Sequence, residues 1–108
     1  MTKINVATST KLDDICKMLE SQKDVTYTYV CNISNCEVTY EVNDTDDSHG
    51  NLIRYTKRLI ASLPYGKVIL TRVLYDGQLF DGGKIYQPGD HEYDVMHSHT
   101  YIRKEEIK

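Results

Sequence analysis

Apolar and polar positions along this chain follow two periods, and the period changes wherever turn residues interrupt it. Residues 3–7 alternate weakly, with Ile4 and Val6 on one side, and predict a short first strand. Ser9 or Thr10 then opens a helix. Thr10 followed by Asp13 approximates a capping box, and Asp13 and Asp14 suit the positive helix N-terminus. Leu12, Ile15, Cys16 and Leu19 keep the i, i+3, i+4, i+7 spacing of one buried stripe, which ends near Gln22.

Alternation returns over residues 25–33, with Val25, Tyr27, Tyr29, Cys31 and Ile33 on one side, and again over 37–43, with Val38, Tyr40 and Val42 opposite Glu37, Thr39 and Glu41. Two strands of a hairpin follow, turning through residues 32–35. A register that sets Cys31 against Cys36 pairs Tyr29 with Val38, Tyr27 with Tyr40 and Val25 with Val42. Every pair is then apolar on one face. A second helix is predicted from Asn51 to about Leu63. Leu52, Thr56, Leu59, Ile60 and Leu63 lie inward and Arg54, Lys57 and Arg58 outward, and Pro64 and Gly66 close it.

Residues 67–75 form the strongest strand pattern, apolar on both faces as in a central strand. Asp76-Gly77 is a tight hairpin signal leading into a return strand that Gly82-Gly83 interrupts. Pro88-Gly89 marks another turn, and a last strand is expected over residues 93–102, before a charged, frayed tail at 103–108. The resulting order, β-α-β-β-α-β, predicts a single α+β domain over residues 1–108. Its architecture is that of a two-layer sandwich, an antiparallel sheet with two helices in the ferredoxin-like βαββαβ arrangement, plus a C-terminal β-hairpin extension. If the faint first strand is absent, the order becomes αββαββ.

Composition narrows the picture. With 40% hydrophobic residues among 108, the chain supports one core and no second domain. Its aromatics are nine Tyr and one Phe, with no Trp. Tyrosine suits half-buried strands and contact surfaces alike, which makes Tyr27, Tyr29 and Tyr40 candidates for touching a partner or for filling the sheet. No apolar run reaches bilayer length and the N-terminus lacks a signal-peptide pattern, so the expectation is a soluble, cytoplasmic protein with no membrane role. Three cysteines do not make a disulfide framework, and Cys31 and Cys36 are expected as free thiols.

Charge is segregated. Residues 24–53 hold six acids (Asp24, Glu37, Glu41, Asp44, Asp46, Asp47) and no Lys or Arg, whereas 54–75 hold five bases (Arg54, Lys57, Arg58, Lys67, Arg72) and no acid. The bases are a candidate phosphate-binding stripe, although the Lys/Arg-Gly-Phe-Gly-Phe run of RNA-binding sheets is missing. Asp44, Asp46 and Asp47 form an acidic loop without the spacing of a calcium loop. His97 and His99, at i and i+2 on the expected last strand, could share a metal, but a third ligand is not evident. No nucleophile or phosphate-loop pattern is present, and the abundant paired carboxylates have no distinct apolar context to raise a pKa, so neither an enzyme nor a cofactor is expected.

The expectation is therefore a small non-enzymatic binding protein acting through protein–protein contact, as an adaptor or as an inhibitor of the kind viruses encode against host machinery. Tyr27, Tyr29, Tyr40, Asp44, Asp46 and Asp47 would form its contact surface, and self-association into a homo-oligomer is an option. A nucleic-acid-binding module using the basic stripe and a metal-binding protein using His97 and His99 are the alternatives.

Overall fold

The computed structural model of the chain describes residues 2–43 and 51–103. Among them are a four-stranded antiparallel sheet and three helices, in the order β1 (Thr2–Thr8), α1 (Leu12–Glu20), β2 (Thr26–Ser34), β3 (Glu37–Asn43), α2 (Leu52–Ala61), β4 (Thr71–Tyr75) and α3 (His91–Met96). The strands lie side by side as β2-β3-β1-β4. The faint first strand is therefore central, held by β3 on one side and β4 on the other. Ile4, Val6, Val38, Tyr40, Val42 and Val73 pack from the sheet against Ile15, Cys16 and Leu19 of α1 and Ile53 and Ile60 of α2. This is the core, and its largest members are fully buried.

Local chemistry explains most element ends. Asn51 caps α2 by accepting the Arg54 N–H on its side-chain oxygen at 3.0 Å. The expected cap of α1 differs: Lys11, not Thr10, precedes the helix in a left-handed conformation with φ 64°, and makes no side-chain cap. Thr8 Oγ1 instead donates to the Thr10 carbonyl at 2.6 Å, which draws the 8–10 segment into its own turn.

The hairpin register also departs from expectation. Tyr27 faces Val42, Tyr29 faces Tyr40, and Cys31 faces Thr39, because irregularities between Tyr29 and Cys31 and between Asn32 and Ser34 each add a residue to β2. The turn falls at Asn35-Cys36. Cys36 is exposed there and does not oppose Cys31, and both thiols are free.

The C-terminal third needs the largest correction. β4 begins at Thr71, leaving Val68 and Leu70 outside it at 83% and 79% exposure, and it is a sheet edge, not a central strand. The hairpin extension reduces to one bridge, Gln78 to Ile85. Gly77 sits at φ 97° beside the Tyr86 carbonyl, where a Cβ would approach that oxygen to 2.2 Å. The expected strand over 93–102 is instead α3 followed by a single bridge, Tyr101 to Asn32. Asp90 takes the extended N-cap position, and Glu92 and Asp94 occupy the first turn, where carboxylates favour the helix. The expected frayed tail starts one residue too early: Arg103 is tied to Glu20, and residues 104–108 lie outside the described residues.

Candidate functional site

Tyr27 and Tyr40 are core residues, at 4% and 0% exposure, and Tyr29 is half-buried beside them. The Tyr40 ring meets Tyr27 edge-on at 6.0 Å and Tyr29 at 6.3 Å. Each such pair contributes about 0.5–1.5 kcal/mol beyond area burial. Their hydroxyls are satisfied internally. Tyr40 donates to Glu20 at 2.6 Å, and Tyr27 shares a hydrogen with Thr56 at 2.8 Å. Burial, with Cys16 and Glu20 close by, pushes the Tyr40 phenol well above its usual range. These three rings build the core and its margin and do not present a contact face. Asp44, Asp46 and Asp47 lie outside the described residues.

The basic residues divide between two faces. Arg54, Lys57 and Arg58 are exposed together on α2, as their spacing predicts, and Lys67 is exposed beyond the helix end. Arg72 stands on β4 in register with Ala7, on the sheet face away from α2, and binds Glu37 at 3.2 Å. Lys57 approaches Asp81 at 4.0 Å, a pair too exposed to matter much. Between α2 and the turn after β4 lies an open groove lined by Arg54, Lys57, Tyr75, Gln78 and Asp81.

The two histidines do not share a strand. His97 follows α3, with Nε2 2.9 Å from Asp76 Oδ1 and its ring stacked on Tyr93 at 4.3 Å, whereas His99 is exposed in the next turn. Among the described residues, no group of three His, Cys, Asp or Glu side chains could hold a metal ion. What His97 belongs to is a polar hub that the sequence did not announce. Asp76 also accepts from Tyr93 Oη at 2.9 Å and from Asn5 Nδ2 at 3.1 Å. Asn5, only 2% exposed, accepts from Thr39 Oγ1 at 2.7 Å and offers its second hydrogen toward Met96 Sδ at 3.8 Å. The central-strand Asn is thus fully engaged by residues 39, 76 and 96. Burial and the bond to Asp76 push the Tyr93 phenol up to about 12.

From this hub the chain runs along the β2 edge. Tyr101 and Asn32 exchange backbone bonds of 2.7 and 2.9 Å, and Arg103 then turns onto the helix face. Its guanidinium binds Glu20 with both arms, at 2.8 and 2.6 Å, and lies 3.9 Å over the Tyr29 ring. Burial alone would raise the Glu20 carboxyl, but the bonds from Arg103 and Tyr40 outweigh it and hold the group below its usual value. The same pairing raises Arg103.

Outside these networks, large apolar side chains stand in solvent on both sides of β4 in the chain. Val68 and Leu70 precede it, and Leu79 (49%), Phe80 (65%) and Ile85 (43%) follow it. The apolar pattern predicts strands at all five, and the structure places none of them in a named strand. No segment long and apolar enough to be a membrane-spanning helix exists among the described residues. Compared with known proteins, the chain matches no family model, no curated protein and no solved structure.

Proposed function

We propose that this chain is a small non-enzymatic binding protein with a two-layer, ferredoxin-like arrangement, and that it acts through contact with another protein. The strand order β2-β3-β1-β4 and the paired β-α-β connections support the architecture. One observation carries the function: Val68, Leu70, Leu79, Phe80 and Ile85 are exposed in the segments that flank the edge strand β4, and Val95 and Ile102 add to the exposed apolar side chains among the described residues. Covering one such side chain is worth about 1.5–3 kcal/mol, and exposed large apolar side chains at both ends of an edge strand are places where a partner would gain it. An adaptor or an inhibitor of another protein's activity would use such a surface equally.

The test compares capture of protein from an extract of the native source by the wild type, by Leu70→Asp/Phe80→Asp and by Lys17→Glu. Lys17 is exposed on α1 and serves as a control. Capture lost only in the double variant is the expected outcome. Capture indifferent to the double variant would defeat the reading.

A further inference from the structure

We infer that residues 91–103 are a latch: one piece of chain that undocks from the folded sheet as a unit and bares the sheet face away from α1 and α2.

What holds this segment differs in kind from what holds the rest. From Gln87 to Arg103 no residue is buried, and the apolar side chains of Val95 and Ile102 stand in solvent at 58% and 67% exposure. Attachment is polar and falls at three places. Tyr93 Oη and His97 Nε2 each lie 2.9 Å from the Asp76 carboxylate, Tyr101 exchanges two backbone bonds with Asn32, and the Arg103 guanidinium holds Glu20. Such bonds replace bonds to water, so their net worth is small, whereas α1 and α2 are held to the sheet by buried apolar surface. A segment without a buried apolar anchor opens at lower cost than the whole fold.

A hinge lies at its near end. Tyr86 N–H donates to the Gly77 carbonyl at 2.9 Å and ties the chain down to that point. The turn at 87–90 follows, exposed throughout, with Gly89 at φ 101° and nothing within 4 Å of the place a Cβ would take. Rotation about this turn moves α3 and the stretch after it while the Gly77–Tyr86 bond stays in place.

The covered face fits a removable cover. Asn5 and Thr39 lie at its centre, at 2% and 1% exposure, and Met96 Sδ sits 3.8 Å from Asn5 Nδ2. The opposite face of the same strands is apolar, whereas these side chains are ones that water solvates when the cover lifts. Cys31 stands opposite Thr39 in the register and shares the covered face, half-buried and close enough to Tyr93 to act on its phenol. Opening also frees the Asn32 peptide groups along the β2 edge.

Amide exchange of the whole protein at rising urea tests the latch. A six-residue helix does not persist undocked, so the His97 N–H reports on one end of the segment and the Asn32 and Tyr101 N–H groups on the other. All three are expected to exchange faster than the core amides of Val6 and Val38 and to depend less on urea. Tyr93→Phe and Arg103→Ala remove attachments at opposite ends, and each should speed exchange at all three amides by roughly five- to tenfold. A variant that acts only at its own end would overturn the single latch in favour of separate frayed contacts. Exchange that merges with Val6 and Val38 would make the segment a permanent part of the fold and overturn the inference outright.

The three thiols give a second readout, since Cys36 is exposed, Cys31 half-buried under the latch and Cys16 buried in the core. Labelling by a maleimide is expected in that order, and either variant should speed Cys31 by the factor seen in exchange while leaving Cys36 unchanged. A Cys31 rate that neither variant moves would overturn the latch as the cover of this face.

Discussion

Arg103 clasps Glu20 across 83 residues of chain, with two bonds of 2.8 and 2.6 Å and the Tyr29 ring beneath the guanidinium. Both side chains are mostly shielded, at 19% and 26% exposure, so water screens the pair only in part. Arg103→Ala is expected to lower stability by about 1–2 kcal/mol, between the values for exposed and fully buried pairs. Arg103→Lys should recover only part of it, because an ammonium cannot form the two-armed contact. Urea unfolding curves of the three proteins check both statements.

The same contact makes stability depend on acid. Glu20 is held below its unfolded value, so its contribution is complete above that value, about 4.3, and is lost as pH falls through the folded one. Glu20→Gln should flatten this part of the stability–pH curve and leave its neutral limb shallow. A curve unchanged by the substitution would mean that the Arg103 contact does not form in solution.

At the other face, Tyr93 and Asp76 should govern alkaline behaviour. A phenol pushed up to about 12 favours its neutral form in the fold. Its stabilisation is therefore present below the ordinary tyrosine value, about 10, and lost as pH rises toward the folded one. Tyr93→Phe should remove that alkaline step, cost about 1 kcal/mol, and speed amide exchange in α3. Asp76→Ala should cost more, about 2–3 kcal/mol, since Asn5, Tyr93 and His97 all lose an acceptor. Tyrosinate absorbance during alkaline titration and exchange rates provide the readouts.

Gly77→Ala should destabilise the turn after β4 by about 1–3 kcal/mol, through its positive φ and the approach to the Tyr86 carbonyl. Gly82→Ala has the positive φ without the close neighbour and should cost less. Thermal melts of the two variants give the comparison.

Much of the N-terminal half was legible because single-face burial leaves a clean period. Ile15, Cys16 and Leu19, or Val38, Tyr40 and Val42, announce their elements directly. The β2–β3 register was not legible, since two bulges leave no mark in the alternation of apolar residues. Residues 93–102 mislead because Tyr93 and Val95 suit a strand, whereas the Asp90 cap position and the Tyr93–His97 stack one helical turn apart favour α3. β4 looked central because Leu74 is buried on the face opposite the core. The basic stripe was legible on α2, but a sheet lies between it and Arg72.

The middle position of β1 also bears on how the chain acquires its structure. Both neighbours of β1 come later in synthesis: β3 about 35 positions on and β4 about 70. Ile4 and Val6 therefore leave the ribosome unpaired and stay so until β3 and then β4 emerge. Closure of the sheet is a late, long-range event, which slows folding relative to a helical chain of the same length. During that wait the N-terminal segment is the natural target for a chaperone, and a stalled or truncated chain ending before Thr71 would leave one flank of β1 open to pair with another molecule.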